Sequence, residues 1–140
     1  MSNEQLVNQI STALDKHRIA SFATVEGNQP KARYMAIFHD RLIVYLATNR
    51  KTHKVEEIKD NPNAYLLLGY EGKLPNDVIE MQGTVVISKD DSLREKLWTD
   101  DFKEWFNGPS DPDYVVLQFT PAKIEYTALG KERQVWERGD

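Results

Sequence analysis

The sequence predicts a mainly β domain: a largely antiparallel sheet of about seven strands, closed as a β-barrel, with three peripheral helices. Three observations carry this reading. The strand-like runs are mostly sequential and joined too briefly for parallel crossovers. Several, such as "YMAIF" at 34–38 and "AYLLL" at 64–68, are apolar on both faces. Strands of that kind are covered on both sides, as when a barrel packs against helices or a second chain. Three further segments carry helical patterning.

The N-terminal segment 1–17 is an amphipathic helix, with Leu6, Ile10 and Leu14 at helical spacing and Ser2 with Gln5 as a capping box. "IASFATV", 19–25, is β-branched and aromatic, and "EGNQP" is a turn. "KARYMAIF", 31–38, and "RLIVYLAT", 41–48, are strands joined by a tight turn at His39-Asp40, which makes the first three strands a meander. Segment 52–60 is a short helix stopped by Asn61-Pro62. "AYLLLGY", 64–70, and "DVIEMQGTVVIS", 77–88, are strands, and Gly83 inside the second marks a bulge or a close backbone approach. Segment 91–106 is a third, peripheral helix with a capping box at Ser92 and Glu95, broken by "NGPSDPD". "YVVLQF" and "KIEYTAL" are two closing strands separated by Thr120-Pro121.

The 140 residues are read as one domain, 1–140. A net charge of -4 argues against a broad nucleic-acid surface, so any basic cluster acts locally. The absence of cysteine excludes disulfides, thiolate metal sites and a cysteine nucleophile. The N-terminus lacks an unbroken apolar run, and no segment approaches the roughly 20 apolar residues of a membrane span, so a cytoplasmic location is expected.

The most informative stretch is "TNRKTHKVEEIKDNP", 48–62. Arg50, Lys51, His53 and Lys54 open the helix and Glu56, Glu57 and Asp60 follow, the reverse of what the helix dipole favours. An anion at the helix start would reconcile the order, because free N–H groups and the dipole attract negative charge there. Phosphate fits best, with the hydroxyls of Thr48 and Thr52 flanking the turn. The other reading is a solvated charge run whose bases pair with Glu56, Glu57 or Asp60. Arg33 interrupts an otherwise apolar strand, and in a meander it would neighbour the Thr48 turn. Cation and turn could then converge on one phosphate-bearing molecule, or Arg33 could lie over the barrel rim.

These residues resemble a known family. Arg33 opening a strand, Thr48-Asn49 ending the next, the Thr52-His53-Lys54 turn, a short helix and Asn61-Pro62 are similar to the core of the pyridoxamine 5'-phosphate oxidase-like FMN-binding split-barrel proteins. The later stretch "KLWTDDFKEWFNGPSDPDYVVLQFTPAKIEYTAL" resembles the general stress protein 26 branch, and together the likeness spans roughly residues 5 to 130. The resemblance implies a six-stranded antiparallel split barrel working as a homodimer, with flavin at the subunit interface. It implies that Arg33, Thr52 and Lys54 hold the FMN phosphate beside Thr48 and His53, that the backbone of Tyr34 and Met35 runs along the ring, and that Tyr126 packs near it. FAD or a deazaflavin is the alternative cofactor. The implied activity is that of a stress-related flavin oxidoreductase serving a small-molecule electron donor or acceptor. The alternative is a non-catalytic flavin store or sensor.

Oxidation of pyridoxamine phosphate itself is not implied. The chain ends "GKERQVWERGD", without the family oxidases' arginine-histidine segment and terminal proline pattern. No catalytic side chain is assigned. His17, His39 and His53 show no i, i+4 pair, so no metal site is expected. Trp98, Trp105 and Phe106 either cover a flavin from the partner chain or serve packing.

Overall fold

The computed structural model describes residues 3–69 and 77–139. Its elements are α1 (Asn3–Leu14), β1 (Ile19–Glu26), β2 (Gln29–Ala36), β3 (Phe38–Asp40), β4 (Ile43–Asn49), α2 (His53–Asp60), β5 (Asn63–Leu68), β6 (Val78–Ile87), α3 (Asp91–Leu97), β7 (Tyr114–Thr127) and β8 (Gln134–Glu137). The mainly β, antiparallel prediction holds; the described residues form eight strands, against about seven read from the pattern and six implied by the resemblance. Positions 1–2, Ser2 of the capping box included, and Tyr70 lie outside the described residues. Among the described residues no helix is long and apolar enough to cross a membrane.

One antiparallel sheet runs in the order β2-β1-β5-β6-β7-β4-β3, with β8 also on β7. The outermost strands β2 and β3 are joined by Ile37 alone. Two residues of chain span at most about 7 Å, so the two ends of the sheet must meet and the sheet curls into a barrel. Ile37 is buried at this seam, and its N–H donates to the Arg18 carbonyl at 2.9 Å. The expected meander is therefore corrected. Segment 31–38 is two strands that belong to opposite ends of the sheet, and β2 is not paired with β4. The chain breaks at Ile37 because it must change sheet ends there.

Alternation places Ala20, Phe22 and Thr24 inside and Ile19, Ser21 and Ala23 outside. Val44, Leu46, Leu66, Ile79, Met81, Leu117 and Phe119 join the inner set with α1 residues Ile10 and Leu14, forming the main core. A second cluster lies on the outer side of β4 and β7, where Tyr114 and Val116 meet Phe106, Trp98 and Phe102. It explains why segment 91–106 is not one helix. The chain is extended at Trp98 and Thr99 and resumes as a 3-10 turn at Asp100–Glu104. The break lets Trp98 and Phe102 both reach Tyr114, at 5.4 and 5.9 Å between ring centroids. Asp90, not Ser92, caps α3, accepting from the N–H groups of Ser92 and Leu93.

The closing segments form the single strand β7. It pairs with β4 through Phe119 and with β8 from Lys123, so the change of neighbour falls at Thr120-Pro121-Ala122. The register with β6 slips at Gln82/Gly83, and a bulge is a place where a strand tolerates proline. A Cβ on Gly83 would lie 2.2 Å from the Thr120 carbonyl oxygen and 2.9 Å from Pro121 Cα. The bulge and the close approach expected at Gly83 are both present. Two-residue turns close the hairpins at Gly27-Asn28 and at Arg41-Leu42, the latter two residues beyond the predicted His39-Asp40 turn. Gly27 has positive φ, as such turns favour; so does Arg41, at 52°.

Helix α2 lies against β1 with Val55, Glu57 and Ile58 buried. Glu57 is 3% exposed. Its Oε2 accepts from the buried Thr24 hydroxyl and, at 3.4 Å, from Arg33. Lys31 Nζ lies 3.4 Å from its other oxygen. Burial raises the carboxyl's pKa, but the Thr24 hydroxyl, the Arg33 charge and Lys31 outweigh it and hold the group below the ordinary carboxylate range.

Two outcomes follow. Gly83→Ala should lower the unfolding free energy by about 1–3 kcal/mol, because the obstructing atoms are backbone; urea unfolding measures it, and a neutral result would mean that the bulge yields freely. A carboxylate whose folded pKa is depressed contributes stability above its unfolded pKa of about 4.3 and loses it as pH falls through the folded value. Glu57→Gln should therefore cost about 1.5–3 kcal/mol at pH 7, and the gap to the parent should narrow as the medium is acidified. An unchanged gap in acid would exclude the charge as its origin.

Candidate anion-binding site

The site forms where β4 turns into α2. Asn49 reverses the chain: its side-chain oxygen accepts from Lys51 N–H at 2.8 Å, and its carbonyl accepts from the Thr52 N–H at 3.0 Å and hydroxyl at 2.8 Å. Thr52 is the N-cap of α2, yet its side chain makes no capping bond to the helix. Lys54, in the first turn, folds back so that Nζ donates to Thr48 Oγ1 at 2.9 Å and Thr52 Oγ1 at 3.2 Å. Thr48 ends the inward-facing series of β4 and is 7% exposed.

Arg33 reaches this end of the barrel from β2. It faces inward opposite Phe22, with the guanidinium carbon 5.6 Å from the Phe22 ring centre. One terminal nitrogen donates to the Phe22 carbonyl at 3.2 Å and to Thr24 Oγ1 at 2.9 Å; the other points to Glu57. The Thr24 hydroxyl thus accepts from Arg33 and donates to Glu57, which fixes the arginine.

The four basic groups that open α2 have different fates. Arg50 and Lys51 pair with Asp113, at 2.8 and 3.4 Å. Arg50's hydrogen bond leads the influences that depress the Asp113 pKa. His53 contacts Glu26 and lies 3.8 Å from Glu57. The pairing expected of a solvated charge run thus occurs for three of the four, mostly with carboxylates outside the stretch. Lys54 alone forms no ion pair among the described residues and is held by neutral hydroxyls. Burial lowers its pKa first and the Arg33 charge lowers it further, against a smaller opposing effect of Glu57. The curl of the sheet therefore brings Arg33 and Lys54 close enough to repel, although β2 is not paired with β4, the strand that leads into α2.

Glu26, His53 and Glu57 have potential ligand atoms within 4.8 Å of one another. Lys31 also lies 3.4 Å from both Glu26 and Glu57, and Arg33 adds a second cation. The two carboxylates are already neutralised, so the group is an ion-pair network and not a cavity for a cation. Tyr34 is 83% exposed beside Arg33, and Met35 packs partly against the core. Tyr126 is not brought to the cluster within one chain. It sits eight per cent exposed in the main core, on the far half of β7 from the strand's pairing with Thr48, and lines a cleft with Thr12 of α1 and Lys16 of the turn after it. Trp98 and Phe106 are packing residues of the second cluster, whereas Trp105 is exposed.

Sequence reasoning missed Thr24 and Asp113, and it named Glu57 only as a partner for the basic turn and not as a buried anchor of Arg33. The place of Glu57 between the apolar Val55 and Ile58 was the signal. Thr24 and Asp113 had none, because their partners are remote in sequence.

The cluster gathers the groups that an oxyanion would need: two neighbouring cations, one with no ion pair among the described residues, two threonine oxygens and a helix start without a side-chain cap. The family model described as pyridoxamine 5'-phosphate oxidase matches residues 6–128. General stress protein 26 of Bacillus subtilis (strain 168) is 36% identical over 136 residues, covering 96% of this chain and 97% of the relative. The crystal structure of General Stress Protein 26 from Bacillus anthracis str. Sterne superposes with a TM-score of 0.82 at 34% identity, over 92% of this chain and 97% of that one. A pyridoxamine 5'-phosphate oxidase-related, FMN binding protein from Nostoc punctiforme PCC 73102 shares the fold, with a TM-score of 0.70 at 16% identity over 97% and 89% of the two chains. The fold, the matched residues and the similarity to a full-length relative agree, and the chain belongs to the pyridoxamine 5'-phosphate oxidase-like split-barrel family.

Proposed function

We propose that this protein binds FMN through the cluster at the start of α2 and works as a cytoplasmic, stress-related flavin oxidoreductase. The observation that carries the reading is the unpaired Lys54 held beside Arg33. Two cations kept together in a partly buried setting are stabilised when a dianion sits against both. Lys54 and the Thr48 hydroxyl would contact the phosphate directly, and Thr52 would orient Lys54. Arg33 would add charge from its anchored position, and His53 would close the outer side. FAD or a deazaflavin would offer part of the same chemistry.

Bound flavin supplies hydride and electron transfer, and the protein's part is to bind and orient it. The Tyr34–Met35 backbone lies on β2, which pairs only with β1 along its length, so its outer edge is open to a planar ring. The segment "GKERQVWERGD" carries no histidine or proline, unlike the substrate-gripping segment of the family oxidases, and that favours a substrate other than pyridoxamine phosphate.

The same reading includes a homodimer. Ile19, Tyr34, Tyr65 and Leu67 are exposed on one outer face of β2, β1 and β5, and Val86 of β6 extends it. An apolar face of this kind fits a partner chain. A second copy there would cover the flavin ring beside the β2 edge, and a small-molecule electron donor would reach it from the rim.

Lys54→Ala should weaken FMN by about tenfold or more while changing riboflavin, which lacks the phosphate, far less. Fluorescence titration of both flavins decides; equal losses would contradict the assigned role. Anaerobic mixing of the FMN-loaded protein with NADPH or NADH should bleach the flavin, and inert flavin would favour a storage or sensing protein. Leu67→Lys should shift sedimentation from dimer to monomer and weaken FMN with it; an unchanged dimer would place the interface elsewhere.

A further inference from the structure

At the other end of β4 from the basic turn, a groove of about 440 Å³ opens between α1, the β3–β4 hairpin and the β7–β8 pair. Its volume is within the range of small-molecule sites. Val7, Leu42, Pro121 and Trp136 give it an apolar lining, with Asp40, Arg41 and Arg138 beside them. Neither Arg41 nor Arg138 forms an ion pair among the described residues. Two unpaired guanidinium groups against one carboxylate leave the groove with a net positive charge.

Arg41 adds an independent observation. It is the only non-glycine among the described residues with positive φ, at 52°. Glycine, asparagine or aspartate ordinarily takes such a hairpin position, because a bulky side chain is strained there. A strained backbone at the edge of a cavity is a reason to look for a ligand.

We propose that this groove binds a small organic carboxylate with an aromatic body. The body lies against Trp136 and Pro121, and the carboxylate accepts hydrogen bonds from the Arg41 and Arg138 guanidinium groups, whose planar donor sets match it. The site is distinct from the basic turn. The seven residues of β4 separate them by about 20 Å, so the inference does not depend on flavin binding.

The test is titration of the full-length ¹⁵N-labelled protein with 2-naphthoate, following the Trp136 indole N–H, which is identified by its absence in Trp136→Phe. The expected result is a saturable shift of that signal, with 2-naphthalenemethanol binding at least about tenfold more weakly. Arg138→Gln and Arg41→Gly should each weaken 2-naphthoate by about tenfold. Arg41→Gly relieves the strained φ, so its thermal midpoint should be unchanged or higher, which separates lost recognition from lost folding. The proposal is overturned by the absence of a saturable shift, by equal binding of the alcohol, or by unchanged affinity in both arginine variants. A Trp136 signal that moves with protein dilution alone would also overturn it, by assigning the groove to a second copy of the chain.

Discussion

The rest of the structure depends on a constraint of chain length: the two outermost strands of the sheet are joined through Ile37 alone. No flat sheet of this strand order could satisfy that connection, because its ends would be several strand spacings apart at roughly 4.8 Å each. Closure is therefore built into the connectivity. It gives the inward residues of β1, β4, β6 and β7 a common interior, and it turns Arg33 toward α2 and the end of β4. Strands unpaired with one another thereby contribute to one site.

Inside that frame, electrostatics sorts the charged groups by the partners within reach. Glu57 is sunk under α2 with a hydroxyl, a guanidinium and an ammonium around it. Removing a carboxylate from water is costly unless such partners compensate, and here they do so well enough to keep it ionised. Arg33 is consequently a fixed cation. Among the described residues Lys54 is hydrogen-bonded by hydroxyl oxygens and forms no ion pair, and hydroxyls position an ammonium without neutralising it. A compensated and an uncompensated cation thus stand a short distance apart, and that difference is what the proposed anion site rests on.

The helix capping and bulge devices show how closely local chemistry and packing are joined. Gly83 is read correctly from its place inside a strand pattern, because the lack of a Cβ is a local property that a close backbone approach requires. The continuous helix expected over 91–106 fails for the opposite reason. Trp98, Phe102 and Phe106 recur every four residues, which suits a helix, yet the chain is extended at Trp98 and Thr99 and all three rings pack around Tyr114 from a broken segment. Likewise the apparent pair of closing strands is one strand, because Pro121 sits where β7 changes neighbours and a bulge absorbs it.

By itself the sequence determined the class of the fold, the order and approximate extent of most elements, and the residue types of the basic turn. Alternation, helical spacing, turn residues and short-range charge order are properties of neighbours in the chain. Only the tertiary structure decided which strands share an edge, that 31–38 divides at Ile37, and that Arg50 and Lys51 pair with Asp113 while Lys54 pairs with no carboxylate among the described residues. Those outcomes depend on Glu57, Thr24 and Asp113 arriving from distant parts of the chain. A charge responds to what stands within a few ångströms of it, and that distance is set by the closure of the barrel and not by separation in sequence.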